Sequence, residues 1–472
     1  MTASGESRTE RDSMGPMEVP ADAYYGASTQ RAVLNFPLSG LRFGRPFIRV
    51  LGLIKQAAAR VNADLGLLDP NIAEAVQQAA QEVADGRLDD QFVVDVFQTG
   101  SGTSTNMNAN EVIASRATEL LGGERGARLV HPNDHVNLGQ SSNDVIPTAI
   151  HLAALTEMEQ RLIPALERLR QALADKSEEF WGIVKTGRTH LQDATPVRLG
   201  QEFLGYAGQM ERAVRRLRRA QEELSEVALG GTAVGTGINT HPEFASRVCA
   251  LLAQELGLPV RETDNHFQAQ STLDAVLEAS GSLRTVAVSL MKIASDISWL
   301  GSGPHASLGE LELPEVQPGS SIMPGKVNPV IPESLIHACA QAIANDSAVC
   351  LAAQGGYFEL NTRMPLAAHN LLQAIGLLAA ATDNFSDRCV RGLRATERGA
   401  QMVEESLAIA TALAPVIGYD AAAAIAKEAA DSGRTVREVA RERTDLSQEE
   451  LDRILDPAAM TEPGLGGGPA GG

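Results

Sequence analysis

The stretch "LGQEFLGYAGQMERAVRRLRRAQEELSEV" occupies residues 199–227. Its apolar side chains recur at steps of three, four or seven residues, at Leu199, Phe203, Tyr206, Met210, Val214, Leu217, Leu224 and Val227. A strand would alternate every second residue, whereas these steps keep the apolar side chains on one face of a helix. The stretch therefore predicts a long amphipathic helix, and a second stripe from Leu273 to Leu300 predicts another.

Further helical patterns extend the same architecture along the chain. They cover approximately residues 46–62, 71–84, 146–178, 332–353 and 366–394, with shorter helices after residue 400. Several of these exceed the typical mean helix length of ~11 residues, which predicts a mainly α fold built as a bundle of long, near-antiparallel helices. Aromatic residues make up only 4% of the chain and alanine is abundant, so the helices can approach closely and the bundle can extend across subunits.

Composition sets the class of the protein. With 472 residues and 44% apolar content, the chain can bury a substantial core and is expected to form two to four domains. The 40 basic residues against 59 acidic residues give a net charge of −19, which disfavours nucleic acid and anionic membranes as partners. Residues 1–14 and the Gly-rich tail 464–472 are expected to be disordered.

The sequence predicts neither a membrane-spanning segment nor a secretory signal. No apolar run is expected to reach the ~18–20 residues of a membrane span, and the polar N-terminus lacks an apolar signal segment. Cys249, Cys339, Cys350 and Cys389 are scattered through apolar stretches without metal-binding spacing, which indicates reduced core thiols. A cytoplasmic location is predicted.

Polar, glycine-bearing loops interrupt the apolar background four times, each before a predicted helix. They cover residues 98–111, 131–147, 185–196 and 319–333. Ser141, Ser142 and Asn143 stand where helix N-caps are expected, and Pro147 and Pro332 suit a first helical turn. Helix N-termini attract carboxylates and phosphates, so four such loops together predict an anion site.

The loop "GSSIMPGKVNP" (319–329) is not a nucleotide triphosphate loop. Five residues separate Gly319 from Gly325, one more than that motif has, and Val327 replaces the hydroxyl residue that would bind magnesium. No strand-like run precedes the loop.

Helix direction adds a prediction about assembly. The helix after Asn143 is expected to run about 30 residues, or ~45 Å, and the helix after His190 to return antiparallel to it. Their N-termini then lie at opposite ends of the bundle. If both loops serve one site, they come from different chains, so an obligate oligomer with composite active sites is expected.

These residues give the chain a strong resemblance to the fumarase/aspartase superfamily, and within it to the iron-independent class II fumarate hydratases. The similar segments, in family order, are "QTGSGTSTNMNANEV" (98–112), "HPNDHVN" (131–137), "QSSNDVIPTA" (140–149), "GRTHLQDATPV" (187–197), "GGTAVGTGIN" (230–239) and "GSSIMPGKVNP" (319–329). The resemblance covers roughly residues 9–465.

The resemblance implies a three-domain fold and a reaction. The expected domains are an N-terminal mixed helical domain (1–140), a central long-helix domain (141–397) that forms a tetrameric helical core, and a small C-terminal domain (398–472). It implies a homotetramer with active sites shared by three subunits. The implied reaction is the reversible hydration of fumarate to (S)-malate in the tricarboxylic acid cycle, with no metal or organic cofactor.

The resemblance also assigns roles to individual residues. Ser320 matches the catalytic base, His190 the acid/base histidine, and Glu333 the acidic residue that orients or charges this histidine from another chain. Lys326 and Asn328 are suited to stabilise the aci-carboxylate that forms when a proton is removed beside a carboxylate. Further expected substrate contacts are Ser101, Gly102, Thr103, Ser141, Ser142, Asn143, Thr189 and Ser321; a secondary dicarboxylate site is expected at His131, Pro132, Asn133 and Asp134.

Alternative functions stay open on the sequence. Aspartate ammonia-lyase is favoured by "DAYYG" (22–26) and "VNPVIPE" (327–333), whereas "QSSND" and "HPND" favour a fumarase; Leu138 and Gly139 depart from many fumarases. Argininosuccinate and adenylosuccinate lyases share the serine loop but not the other three loops. A catalytically inactive helical scaffold is disfavoured, because it would have no use for Ser320, His190 and Lys326 together.

Overall fold

The computed structural model describes residues 6–464 and is mainly helical. Its α-helices are α1 (Ala27–Asn35), α2 (Arg45–Asp64), α3 (Pro70–Ala84), α4 (Thr103–Leu120), α5 (Ser142–Glu157), α6 (Ile163–Glu179), α7 (Leu199–Leu224), α8 (Phe244–Leu256), α9 (His266–Ser271), α10 (Asp274–Leu300), α11 (Val330–Ala353), α12 (Met364–Arg388), α13 (Arg398–Val403), α14 (Ala414–Ile417), α15 (Tyr419–Ser432), α16 (Val436–Arg443) and α17 (Gln448–Ile454). The predicted long helices are confirmed. A π-helical turn, Met158–Leu162, joins α5 to α6 without a break.

Short two-stranded sheets supplement the helices. The strands are β1 (Ser7–Asp12), β2 (Gly15–Pro20), β3 (Val184–Thr189), β4 (Gln192–Arg198), β5 (Glu226–Val227), β6 (Arg261–Glu262), β7 (Leu311–Glu312), β8 (Gly356–Tyr357), β9 (Leu360–Asn361) and β10 (Arg394–Ala395). The pairs β1–β2, β3–β4, β7–β10 and β8–β9 are antiparallel, and β5–β6 is parallel.

The described residues form two compact units. The first contains the residues up to Pro164 with Arg215–Ala287 and Cys339–Ala379, and the second contains Ala165–Val214, Val288–Ala338 and the residues from Ala380 onward. In the first unit α2 packs against α3, α5 and α8, with Phe47, Leu51 and Ile54 fully buried. A Cβ on Gly52 would lie 2.8 Å from the Ala80 carbonyl oxygen, so the close packing of α2 on α3 requires glycine there.

In the second unit, two clusters form the core. Phe203 contacts Phe180 and Tyr206 edge-on, with ring centroids 5.2 and 5.5 Å apart. The C-terminal helices α15, α16 and α17 enclose their own apolar cluster around Ile425, Val439 and Leu451.

The N-terminal residues differ from the expectation of disorder. Residues 7–20 form the β1–β2 hairpin, so the prediction is wrong for residues 7–14. Arg8 anchors the hairpin, because its guanidinium donates to the carbonyl oxygens of Ala21, Ala23 and Tyr25 at 2.7–3.1 Å. Sequence composition does not reveal such carbonyl contacts. The expected disorder of residues 1–5 and 465–472 lies outside the described residues.

Two further expectations about apolar segments are corrected. Val330–Ala353 and Met364–Gly392 are long and apolar enough to cross a membrane by length and composition, with mean hydropathies of 1.2 and 1.3, so such runs do exist. Core helices of soluble proteins pass the same test, and these two leave apolar surface uncovered, because only 39% and 50% of their most apolar windows are buried. Cys249, Cys339 and Cys389 are buried, and burial raises the pKa of each thiol to about 12, but Cys350 is exposed.

Candidate active site

In the first unit, the N-termini of α4 and α5 meet through a chain of hydroxyl groups. The Ser101 and Thr103 hydroxyls lie 2.7 Å apart, and Thr103 lies 2.7 Å from the Ser142 hydroxyl. Three hydroxyls joined by two hydrogen bonds leave one O–H donor free for a ligand. Together with the unpaired N–H groups of two helix starts, this arrangement suits one end of an anion.

Two glycines make the turn before α4 possible. Gly102 precedes the helix with φ +70°, a conformation that favours glycine, and a Cβ there would lie 2.9 Å from Ile146 side-chain atoms. At Gly100 a Cβ would lie 1.7 Å from the Thr362 carbonyl oxygen. The predicted binding residues Ser101, Gly102 and Thr103 therefore depend on backbone that only glycine permits.

The start of α5 is fixed by a capping box and a buried carboxylate. The prediction of an N-cap is confirmed at Ser141, whose hydroxyl accepts from the Asn143 amide N–H at 3.2 Å. Asp144 accepts from the Ser141 amide at 2.9 Å through one oxygen, and from the Gly230 and Thr232 amides, both at 3.0 Å, through the other. Burial raises the pKa of Asp144, against the opposing effect of these amides. Asp144 thus attaches the glycine-rich segment 230–239 to the site.

Pro147 does not lie in the first turn of α5. The helix begins at Ser142, five residues earlier, so that prediction is wrong. Asn143 donates through its side-chain amide to the Ala233 carbonyl oxygen at 2.8 Å, and therefore lies against the same glycine-rich segment as Asp144.

In the second unit, the segment 185–196 is not a loop but most of the β3–β4 hairpin. Thr189 pairs with Gln192, and His190 and Leu191 form the turn with φ of 56° and 60°. Two consecutive positive φ values define a turn type that usually has the sequence Asn-Gly. Because this turn has His-Leu instead, the sequence does not indicate a hairpin here. The hairpin presents Thr189 and His190 at an exposed tip.

Ser320 lies in a loop that closes on itself. Its Oγ accepts hydrogen bonds from the Met323 amide at 2.9 Å and the Ile322 amide at 3.2 Å. The Asn328 side-chain amide donates to the Gly319 carbonyl oxygen. A Cβ on Gly319 would lie 1.8 Å from the Lys326 carbonyl oxygen, so this closure requires glycine. The two amides that donate to Oγ favour a negative charge on that oxygen.

The remaining predicted residues of this loop face outward. Ser321 and Lys326 are exposed. Pro332 lies in the first turn of α11, as predicted, and Glu333 follows it on the same turn, with its side chain exposed. Within residues 6–464, no hydrogen bond joins Glu333 to His190 in the same chain.

The histidine motif of the first unit folds as a π-helical turn, Pro132–Val136. The His131 Nδ1 accepts from the Asp134 amide at 3.1 Å, and the same nitrogen lies 3.1 Å from an Asp134 carboxylate oxygen. Asn133 and Asp134 are exposed, so the four predicted residues of the secondary site form one short surface segment.

Sequence reasoning missed three buried charged residues beside the predicted ones. Lys55 and Asp144 lie in the first unit, and Glu310 lies in the second. Glu310 is 1% exposed. Its carboxylate lies 2.9 Å from Lys185 Nζ and 2.5 Å from the Arg188 guanidinium, and both of these basic residues are on β3, the strand that leads to His190. A signal existed for two of them: Lys55 interrupts an apolar stripe, and Asp144 completes the pattern of a capping box.

Comparison with known proteins gives matches over most of the chain. A family profile described as "Lyase" matches residues 15–344, and one described as "Fumarase C C-terminus" matches residues 409–462. The class II fumarate hydratase of Halobacterium salinarum is 56% identical over 98% of both chains, and that of Mycobacterium tuberculosis is 51% identical over 97% of both. The crystal structure of class II fumarase from Schistosoma mansoni matches 97% of this chain and 99% of its own, with a TM-score of 0.95 and 40% identity.

The fold and these matches define a lyase. The chain belongs to the class II fumarate hydratase family.

Proposed function

We propose that this protein catalyses the reversible addition of water to fumarate, giving (S)-malate, by acid/base chemistry without a metal. The observation that carries the proposal is the geometry of the Ser320 loop, where two backbone amides donate to Oγ. A serine hydroxyl is too weak a base at neutral pH unless its alkoxide is stabilised, and these amides supply that stabilisation. The full-length similarity to fumarate hydratases supports the choice of substrate.

In the malate-to-fumarate direction, the Ser320 oxygen takes the proton from the carbon beside one carboxylate. The electrons of that C–H bond move into the carboxylate and form a dianionic aci-carboxylate. Lys326 and Asn328, with Ser321 and the loop amides, would stabilise the added charge, which is greater in the transition state than in the substrate. The bond between the neighbouring carbon and its hydroxyl group then breaks as the double bond forms. The hydroxyl group takes up a proton and leaves as water.

His190 would protonate the leaving hydroxyl, directly or through water, since an imidazole can both donate and accept a proton. Glu333 would orient it from another copy of the chain. The hydroxyl chain of the first unit, with Ser141, Asn143 and Thr189, would bind the rest of the dicarboxylate. His131, Pro132, Asn133 and Asp134 would form a secondary dicarboxylate site.

The chain is proposed to act as a homotetramer whose active sites each draw residues from three subunits. Apolar side chains on the long helices support this assembly: Leu351 on α11 is 61% exposed, and Val288 and Trp299 on α10 are 54% and 52% exposed. Covering such faces with further copies of the chain would remove them from water. The division into residues 1–140, 141–397 and 398–472 belongs to the same proposal.

The net charge of −19 supports the proposed absence of nucleic acid and anionic membrane partners, and a cytoplasmic location is proposed as well. Fractionation of the source cells would test it.

The test is the ultraviolet absorbance of fumarate with purified protein, in ammonia-free buffer and with ammonium added, with the product identified by NMR. Loss of absorbance without ammonia, with malate as product, is expected. Loss only with ammonium, with aspartate as product, would instead identify an ammonia-lyase. The variant Ser320→Ala should lower turnover by at least about a thousandfold and leave the oligomer intact; near-normal turnover would contradict the assignment of the base.

A further inference from the structure

Lys55 lies in the middle of α2 and is fully buried, with 0% of its surface exposed. Its ammonium donates to the Asn137 and Gln140 side-chain oxygens, both at 2.9 Å. No carboxylate of residues 6–464 forms an ion pair with it. A buried lysine is rare unless it is paired, because the charge loses its hydration, so this one requires an explanation.

The two partners of Lys55 control the turn that leads into α5. The Asn137 side-chain oxygen also accepts from the Asn106 and Asn110 side chains of α4, both at 3.2 Å. The Asn137 side-chain amide donates to the Gln140 carbonyl oxygen at 3.1 Å. Lys55 is therefore linked through Asn137 to α4, and it donates directly to the turn that leads into α5.

Gln140 completes the cluster. Its side-chain amide donates to the Val136 and Leu138 carbonyl oxygens at 3.1 and 3.2 Å, and the next residue is the N-cap Ser141. Gln140 therefore joins Lys55 to the backbone of the turn that directly precedes the cap of α5.

The charge of Lys55 is only partly balanced. The Asp144 carboxylate attracts the Lys55 ammonium electrostatically without contacting it, and this carboxylate already accepts hydrogen bonds from three backbone amides. Burial lowers the pKa of Lys55 to about 7. A dicarboxylate bound at the N-cap of α5 adds negative charge next to Gln140. This charge favours the ammonium form of Lys55, and the ammonium attracts the ligand by the same amount.

We propose that Lys55 is a positioning residue of the substrate site, which fixes the turn 137–140 through Asn137 and Gln140 and whose buried positive charge strengthens dicarboxylate binding. The proposal rests on the proposed function. It assigns Lys55 no proton transfer and no contact with the substrate.

The test compares Lys55→Met, which removes the charge and the hydrogen bonds, with Lys55→Gln, which keeps a donor but no charge. KM and kcat are measured with fumarate, and the Kd of succinate, an unreactive dicarboxylate, is measured by calorimetry. We expect Lys55→Met to raise both KM and Kd roughly tenfold or more, with kcat changed less than about threefold. Lys55→Gln should recover only part of the affinity.

Lys176→Met is the matched control, because it removes another largely buried lysine, one that contacts Glu179 and the Leu393 carbonyl oxygen in the second unit. Its KM and Kd should match the wild type. Circular dichroism and sedimentation establish which variants fold. If Lys55→Met does not fold, the comparison of Lys55→Gln with the wild type provides the test.

The outcomes separate the role of Lys55 from the proposed function. Wild-type KM and Kd in folded Lys55 variants of an active enzyme would overturn the role of Lys55 alone, and full recovery in Lys55→Gln would overturn the role of its charge. A wild type that binds succinate but does not hydrate fumarate would overturn the proposed function alone. A wild type that binds no dicarboxylate would overturn both.

Discussion

Replacing Asp144 with asparagine should disconnect three backbone segments at once. The carboxylate accepts from the Ser141 amide at 2.9 Å and from the Gly230 and Thr232 amides at 3.0 Å. Asparagine has one acceptor oxygen. If that oxygen remains with Ser141, the new NH₂ group faces two amide donors, and both amides lose their partner.

The expected loss follows from these contacts. A hydrogen bond to a charged group contributes about 1.5–3 kcal/mol, so two lost bonds cost roughly 3–6 kcal/mol of the free energy of unfolding. The substitution also removes the negative charge that attracts the Lys55 ammonium. This loss offsets the desolvation cost that is saved when one carboxylate fewer is buried. Since domains are typically stable by only 5–15 kcal/mol, Asp144→Asn should be marginally folded.

Denaturant unfolding, followed by circular dichroism, measures the stability, and KM for fumarate measures the site. Both should worsen, because the same carboxylate holds the cap of α5 and the glycine-rich segment. Asp346→Asn is the matched control: Asp346 is buried in the same unit but accepts from the Ser280 and Arg284 side chains, at 2.7 Å each. The control should lose stability and keep its KM. A loss below about 1 kcal/mol in Asp144→Asn, or an unchanged KM, would show that the carboxylate does not hold these segments together.

Three further predictions concern other parts of the site. Thr103→Val removes both bonds of the hydroxyl chain and should raise KM for fumarate about tenfold at constant stability; an unchanged KM would count against the chain as a binding element. The difference in the free energy of unfolding between the wild type and Lys55→Met should increase with pH above about 7, by up to ~1.4 kcal/mol per pH unit. The reason is that Lys55 releases its proton near pH 7 in the folded protein but keeps it to about pH 10.5 in the unfolded chain. A difference that does not depend on pH would contradict this prediction. Glu310→Gln should lower the free energy of unfolding by about 2–4 kcal/mol, because Lys185 loses a buried partner, and should lower kcat if Glu310 helps to position the strand that leads to His190. The exposed Glu312→Gln should change neither, and equal effects of the two variants would contradict that role of Glu310.

Much of the fold was predictable because long helices leave a periodic pattern. The stripe from Leu199 predicted α7, whose buried side chains include Phe203 and Leu217. The N-cap at Ser141 was predictable for a similar reason, because capping depends on residues close in sequence.

The β3–β4 hairpin was not predictable, because its turn lies at His190 and Leu191 instead of Asn-Gly, and its strands lack an apolar alternation. Its position depends on tertiary contacts such as those of Arg188 with Glu310, which lie 122 residues apart. Lys55 was visible as a charged residue in an apolar stripe, but its partner Asn137 lies 82 residues away, and no local pattern joins them.

The site residues of the two units must meet if they are to act on one substrate. Because each proposed site draws residues from three subunits, we expect Ser142 and Ser320 of one site to lie on different copies of the chain, and a mixing experiment tests this directly. Ser320→Ala is expected to be nearly inactive, and Ser142→Ala to be strongly impaired when fumarate is kept well below its KM. Refolded together in equal amounts, they should form hybrids in which about one quarter of the sites are intact, with a matching return of fumarate hydration. If both residues of a site came from one chain, every site would carry a defect, so the absence of any return of activity would contradict active sites shared between copies.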